Sequence, residues 1–81
     1  REERDVLVDW LRAQGLTAYD SDANFVLFGP FVDRDAIWEQ LVAAGVLIRV
    51  VGPEGYLRAS IGTPQEMDRL RAELLRAMRF G

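Results

Sequence analysis

Val46-Leu47-Ile48-Arg49-Val50-Val51-Gly52-Pro53-Glu54-Gly55-Tyr56-Leu57-Arg58-Ala59-Ser60-Ile61 reads as two β-prone runs joined by a turn. Branched aliphatic residues fill the first run. Gly52, Pro53 and Gly55 then supply the backbone freedom and the fixed φ that a chain reversal needs, so the segment predicts a β-hairpin. Side chains alternate between the two faces of a strand. Counting outward from the middle of the turn brings Arg49 and Arg58 near each other, whereas a slip of one residue would put them on opposite faces.

The flanks repeat the same kind of signal. Asn24-Phe25-Val26-Leu27-Phe28 is almost continuously apolar and stops at Gly29-Pro30, the pattern of a central strand buried on both faces. Between it and the hairpin, Asp33 can accept from the free amides of a helix start and Asp35 complements the positive end. Ile37, Trp38, Leu41 and Val42 carry that helix's apolar stripe to a glycine cap at Gly45. After the hairpin, Thr63-Pro64-Gln65-Glu66 is a capping box with proline at the first helical position. Met67, Leu70, Leu74, Leu75 and Met78 mark the buried stripe that follows, with Arg69, Arg71, Glu73, Arg76 and Arg79 outside.

At the other end, Arg1 to Gln14 predicts an amphipathic helix with Leu7, Trp10, Leu11 and Val6 inward and Gly15 as its left-handed cap. Leu16 to Tyr19 reads as a brief edge strand or extended connector, with Asp20, Ser21 and Asp22 as turn chemistry. The order helix, strand, strand, helix, strand, strand, helix predicts an α+β fold: a small, mostly antiparallel sheet of three to four strands covered by helices.

Eighty-one residues make one domain, spanning 1–81, and its 49% apolar and 28% charged content is that of a globular chain with a modest core. A net charge of -3 and the lack of any basic run leave no field to collect nucleic acid or anionic lipid. All ten basic residues are arginine, so no side chain can form a Schiff base; with no Cys or His, thiolate catalysis, an imidazole base and ordinary zinc sites are excluded as well. No apolar run is long enough to span a bilayer, and Arg1-Glu2-Glu3-Arg4 is unlike a signal peptide, so the expected compartment is the cytoplasm. A first residue other than Met, inside a helix-compatible segment, predicts a parent chain that begins upstream.

Chemistry is confined to a few polar side chains. A planar guanidinium offers paired donors matched to carboxylate or phosphate, and two of them on adjacent strands, Arg49 and Arg58, would fix a small anion in one pose. The alternative is that they snorkel to solvent or pair with Glu54. Asn24 could offer its amide to a ligand or only close the turn begun at Asp20. Tyr19, Tyr56, Trp10 and Trp38 read as core or interface, and Asp20 and Asp22 lack the glycine and glutamate pattern of a calcium loop.

Three blocks, Asp22-Ala23-Asn24-Phe25-Val26-Leu27-Phe28, Gly45-Val46-Leu47-Ile48-Arg49 and Tyr56-Leu57-Arg58-Ala59-Ser60-Ile61-Gly62-Thr63-Pro64-Gln65-Glu66-Met67, resemble in order and spacing the end of histidinol-phosphate aminotransferases. Related amino-acid aminotransferases and threonine-phosphate decarboxylases carry similar blocks. The resemblance implies the C-terminal small domain of a fold-type I, homodimeric enzyme that uses pyridoxal 5'-phosphate. Its reaction would interconvert histidinol phosphate plus 2-oxoglutarate with imidazole-acetol phosphate plus glutamate in histidine biosynthesis. By the same resemblance Arg58 grips the anionic end of the substrate, Arg49 supports it, and Asn24 is a further substrate-binding candidate. The cofactor and its Schiff-base lysine would belong to a large domain outside this chain, which by itself is expected to hold no cofactor and to be inactive.

A competing expectation is a free-standing module that binds a small anionic metabolite without chemistry. If the chain is instead part of a larger enzyme, apolar surface left uncovered should make the isolated piece self-associate or leave it marginally stable, with Trp10 and Phe80 as expected contacts.

Overall fold

The computed structural model describes residues 3–22 and 24–80, apart from the side chains of Asp20, Ser21 and Phe80. Its elements run α1 (Glu3–Ala13), β1 (Thr17–Asp22), β2 (Phe25–Gly29), α2 (Arg34–Ala43), β3 (Ile48–Arg49), β4 (Leu57–Ser60) and α3 (Pro64–Phe80). The expected α+β class is what forms. Among the described residues the strands make a four-stranded sheet in the order β1-β2-β4-β3, with every neighbouring pair antiparallel.

Register decides what each face of the sheet carries. On one face Ala18, Phe28 and Leu57 form a row across three strands, and Val26, Ala59 and Ile48 form the next; all six are buried. Leu7, Val8 and Leu11 of α1, Ile37 and Leu41 of α2, and Met67, Leu70, Leu74 and Ala77 of α3 close over these rows in one core. Removing a fully buried member such as Leu41 or Leu70 down to Ala would cost about 2–5 kcal/mol. The opposite face runs Tyr19, Leu27, Arg58, Arg49 across all four strands, with Phe25 and Ser60 beside them, and none of these six side chains is buried.

Helix ends form as the sequence directs. The Asp33 carboxylate accepts from the Ala36 amide at 3.3 Å. Glu66 Oε1 accepts from the Thr63 amide at 2.8 Å while Thr63 Oγ1 accepts from the Glu66 amide at 3.1 Å, the reciprocal capping box. The second helix closes with Val46 N–H donating to the Leu41 carbonyl at 3.0 Å and Gly45 N–H to Val42 at 3.0 Å, which requires the positive φ of 83° at Gly45. The Arg69 guanidinium, reaching from α3, donates to the Ala44 carbonyl at 3.1 Å and pins the two helices together.

Several expectations are corrected. The second strand is central but buried on one side only, because the helices gather on a single face. Asp20, Ser21 and Asp22 do not turn; they extend β1, and the mismatch is absorbed as a register shift between Asp20 and Asp22. Reversal falls after Asp22, whose carboxylate accepts from the Asn24 amide at 2.8 Å. The hairpin's first ladder strand shrinks to Ile48–Arg49. In the helices Val8 rather than Val6 completes the buried set, Val42 and Leu75 are 45% and 41% exposed, and Ala77 takes the inward place. The expected helix start at Arg1 and Glu2 lies outside the described residues.

Candidate functional site

Arg49 and Arg58 are direct cross-strand partners in the β3–β4 ladder, so both side chains leave the sheet on the same, helix-free side. The slip that would have separated them does not occur. β4 holds Arg58 at its centre, between the buried Leu57 and Ala59, which fix the strand by their packing and leave Arg58 half-buried; Arg49 on the edge strand is exposed. Neither guanidinium has a carboxylate or carbonyl partner among the described residues, and Glu54 pairs with neither. Two like charges directly opposite each other repel, so an anion placed between them would relieve strain as well as gain hydrogen bonds.

An open groove surrounds the pair, with Phe25, Trp38, Leu47 and Ser60 among its walls. The Phe25 ring lies under the Arg58 guanidinium, whose central carbon is 4.1 Å from the ring centroid. Trp38 is held by its indole N–H, which donates to the Ile48 carbonyl at 3.3 Å and ties α2 to the edge strand. Gly52 of the turn lies against the Leu27 side chain. Farther along the same face Tyr19 and Tyr56 stack with centroids 6.1 Å apart. A hydrogen bond with the Tyr56 side chain, and the repulsion its ionised form would add, raise the pKa of Tyr19 above the ordinary phenol value.

Asn24 stands elsewhere. Its amide is taken by Asp22, its carbonyl accepts from Ile61 N–H at 2.8 Å, its side chain is exposed, and it is not among the residues lining the groove. The structure therefore brings Arg49 and Arg58 together and leaves Asn24 at the turn. Sequence reasoning overlooked Phe25, Trp38 and Ser60. Alternation was the available signal for two of them: in the observed register Phe25 opposes Ser60, and both share a face with Arg58.

A second, more enclosed recess lies between the end of α2 and the start of α3, bordered by Val46, Ile61, Met67, Leu70, Glu66 and Arg69. Its two charged groups are already engaged, Glu66 in the capping box and Arg69 on the Ala44 carbonyl, whereas the arginine pair on the open face is not. Among the described residues no group of His, Cys, Asp or Glu could hold a metal ion, and no helix is long and apolar enough to cross a membrane.

Comparison with known proteins places this geometry in context. The family model for aminotransferase class I and II matches residues 1–74. A histidinol-phosphate aminotransferase of Thermobifida fusca is 60% identical over 77 residues, which is 95% of this chain and 21% of the relative. Histidinol-phosphate aminotransferase 3 of Burkholderia lata is 60% identical over 78 residues, 96% of this chain and 21% of the relative. That of Bifidobacterium adolescentis is 45% identical over 86 aligned positions, 99% of this chain and 22% of the relative. The chain thus spans about a fifth of the length of these curated relatives.

Proposed function

Because the chain belongs to the aminotransferase class I and II family, we propose that it is the C-terminal small domain of a histidinol-phosphate aminotransferase and supplies that enzyme's grip on the anionic end of its substrates. The observation that carries this reading is the pairing of Arg49 with Arg58 on the uncovered face of the sheet, with neither charge spent on a carboxylate among the described residues. The parent would interconvert histidinol phosphate plus 2-oxoglutarate with imidazole-acetol phosphate plus glutamate, acting in the cytoplasm as a homodimer. Arg58, on the central strand, would hold the phosphate of histidinol phosphate or the α-carboxylate of glutamate through paired N–H donors. Arg49, on the exposed edge strand, would add the second positive charge that a dianion calls for and a carboxylate does not. Asn24, at the turn, has a supporting role at most.

Pyridoxal phosphate would supply the electronic chemistry of such an enzyme. With no lysine anywhere in its 81 residues, this chain has no side-chain amine to tether the cofactor, so the tethering lysine would have to come from elsewhere in the parent. What remains for this domain is positioning. Fixing the substrate's tail on a rigid strand restricts where its reacting end can lie, and the apolar walls beside the arginines strip water from the anion and strengthen the hydrogen bonds.

Alanine at each arginine in the intact parent tests the assignment. Hydrogen bonds to a charged group contribute about 1.5–3 kcal/mol, so Arg58→Ala should lower kcat/KM for histidinol phosphate by roughly 10- to 100-fold. Arg49→Ala should lower it less. Equal and small effects would remove both residues from the site.

A further inference from the structure

Several arginines elsewhere on this domain spend donors locally. Arg12 donates to the Ala18 carbonyl at 2.9 Å, Arg69 to Ala44 at 3.1 Å, Arg34 to Asp35 at 2.8 Å and Arg71 to Asp68 at 2.6 Å. Arg58 is held differently. Its guanidinium lies over the Phe25 ring at 4.1 Å, and no oxygen of the described residues takes its hydrogens. Phe25 faces Ser60 in the β2–β4 ladder, which makes it the diagonal neighbour of Arg58 on the same face.

We infer that Phe25 is a positioning residue whose ring orients Arg58 before the substrate arrives. The inference rests on the reading that Arg58 grips the substrate's anion. A long side chain waving in solvent gives up rotamer freedom each time it binds, and holding it beforehand removes part of that cost. A carboxylate could hold it too, but would compete with the incoming anion for both charge and N–H donors. An aromatic ring attracts the cation through its π face and leaves the in-plane N–H groups pointing outward, available to a phosphate or carboxylate. Phe25 can do this because the β1–β2 hairpin fixes its backbone, and because Val26 and Phe28, alternating with it, are buried to zero exposure and lock the strand.

The experiment is a double-mutant cycle in the intact parent enzyme with histidinol phosphate as the probe, using Phe25→Leu, Arg58→Ala and their combination, with Phe25→Tyr as the conservative variant. Phe25→Leu should raise KM about fivefold with kcat nearly unchanged, equivalent to about 1 kcal/mol of binding. Phe25→Tyr keeps a ring and should restore the wild-type KM. In the Arg58→Ala background, Phe25→Leu should change kcat/KM no further. A full fivefold loss in that background, or the same loss in Phe25→Tyr, would show that Phe25 acts only through packing and overturn the inference. An unchanged KM in Phe25→Leu beside a severe Arg58→Ala defect would overturn it while leaving Arg58's role intact. A silent Arg58→Ala would remove that role and the inference together. Should Phe25→Leu fail to fold, Phe25→Met replaces it in the cycle, with the same outcomes.

Discussion

A guanidinium without a partner is an invitation, and what matters at the residue scale is who is allowed to answer it. Arg49 and Arg58 were legible in the sequence as interruptions of β-prone runs, and the turn between them brought them near each other while leaving a one-residue slip open, which the observed ladder closes. Phe25 was not legible as their neighbour, because its place depends on how β2 pairs with β4, a contact between strands more than thirty positions apart that no local pattern fixes. Asn24 looked polar enough for a ligand, yet its N–H is taken by Asp22 in the turn, its carbonyl by Ile61 N–H after β4, and it does not line the groove. One glycine in the framework is equally specific: a Cβ on Gly29 would sit 2.7 Å from the Gly55 carbonyl oxygen, where backbone meets backbone and neither can yield cheaply. Gly29→Ala should therefore destabilise the domain by about 1–3 kcal/mol, seen as a lower urea midpoint; an unchanged midpoint would show that the two turns can separate.

Helices were easier to read than strands at the scale of the element, for a physical reason. Capping boxes and glycine caps are local chemistry, complete within a few residues, and Thr63 with Glu66, Asp33 and Gly45 all behave as their sequence spacing directs. Which residues of a helix face inward depends on the partner surface, so the stripe was off by a position here and there: Val8 for Val6, Ala77 for Leu75. The first strand was harder still, since Asp20, Ser21 and Asp22 have the composition of a turn but are recruited by pairing with β2. The capping box offers a clean check. Thr63→Ala and Glu66→Ala should each lower stability by about 1 kcal/mol, and the double variant by less than their sum, since each removes one half of a reciprocal pair. Strict additivity in denaturant melts would contradict that coupling.

Viewed whole, the molecule is a sheet with three helices on one side and its charged, aromatic side left open. That asymmetry separates stability from recognition: the core rows are apolar and fixed, and the opposite rows are free to carry anion-binding groups. Trp10, one of the expected self-association contacts, instead packs partly into the core, and the side chain of Phe80 lies outside the described residues. Exposed apolar residues cluster beside the edge strand, where Leu47 is 69% exposed with Val50 and Val51 nearby, while Val32 and Leu75 are exposed elsewhere. The isolated 81-residue chain is predicted to self-associate through this edge in sedimentation equilibrium, and Leu47→Glu should shift it toward monomer; a monomeric wild-type chain at high concentration would contradict the prediction.

The central claim, that this domain recognises the negative tail of the substrate, is tested most directly by substrate discrimination. In the intact parent, kcat/KM is measured for histidinol phosphate and for histidinol, which lacks the phosphate, with wild-type protein and with the Arg49→Ala, Arg58→Ala double variant. The preference for the phosphorylated substrate should fall by roughly two orders of magnitude or more while the rate on histidinol stays near its wild-type value. Equal losses on both substrates would show that the two arginines support the fold or the reacting end, and not the anion.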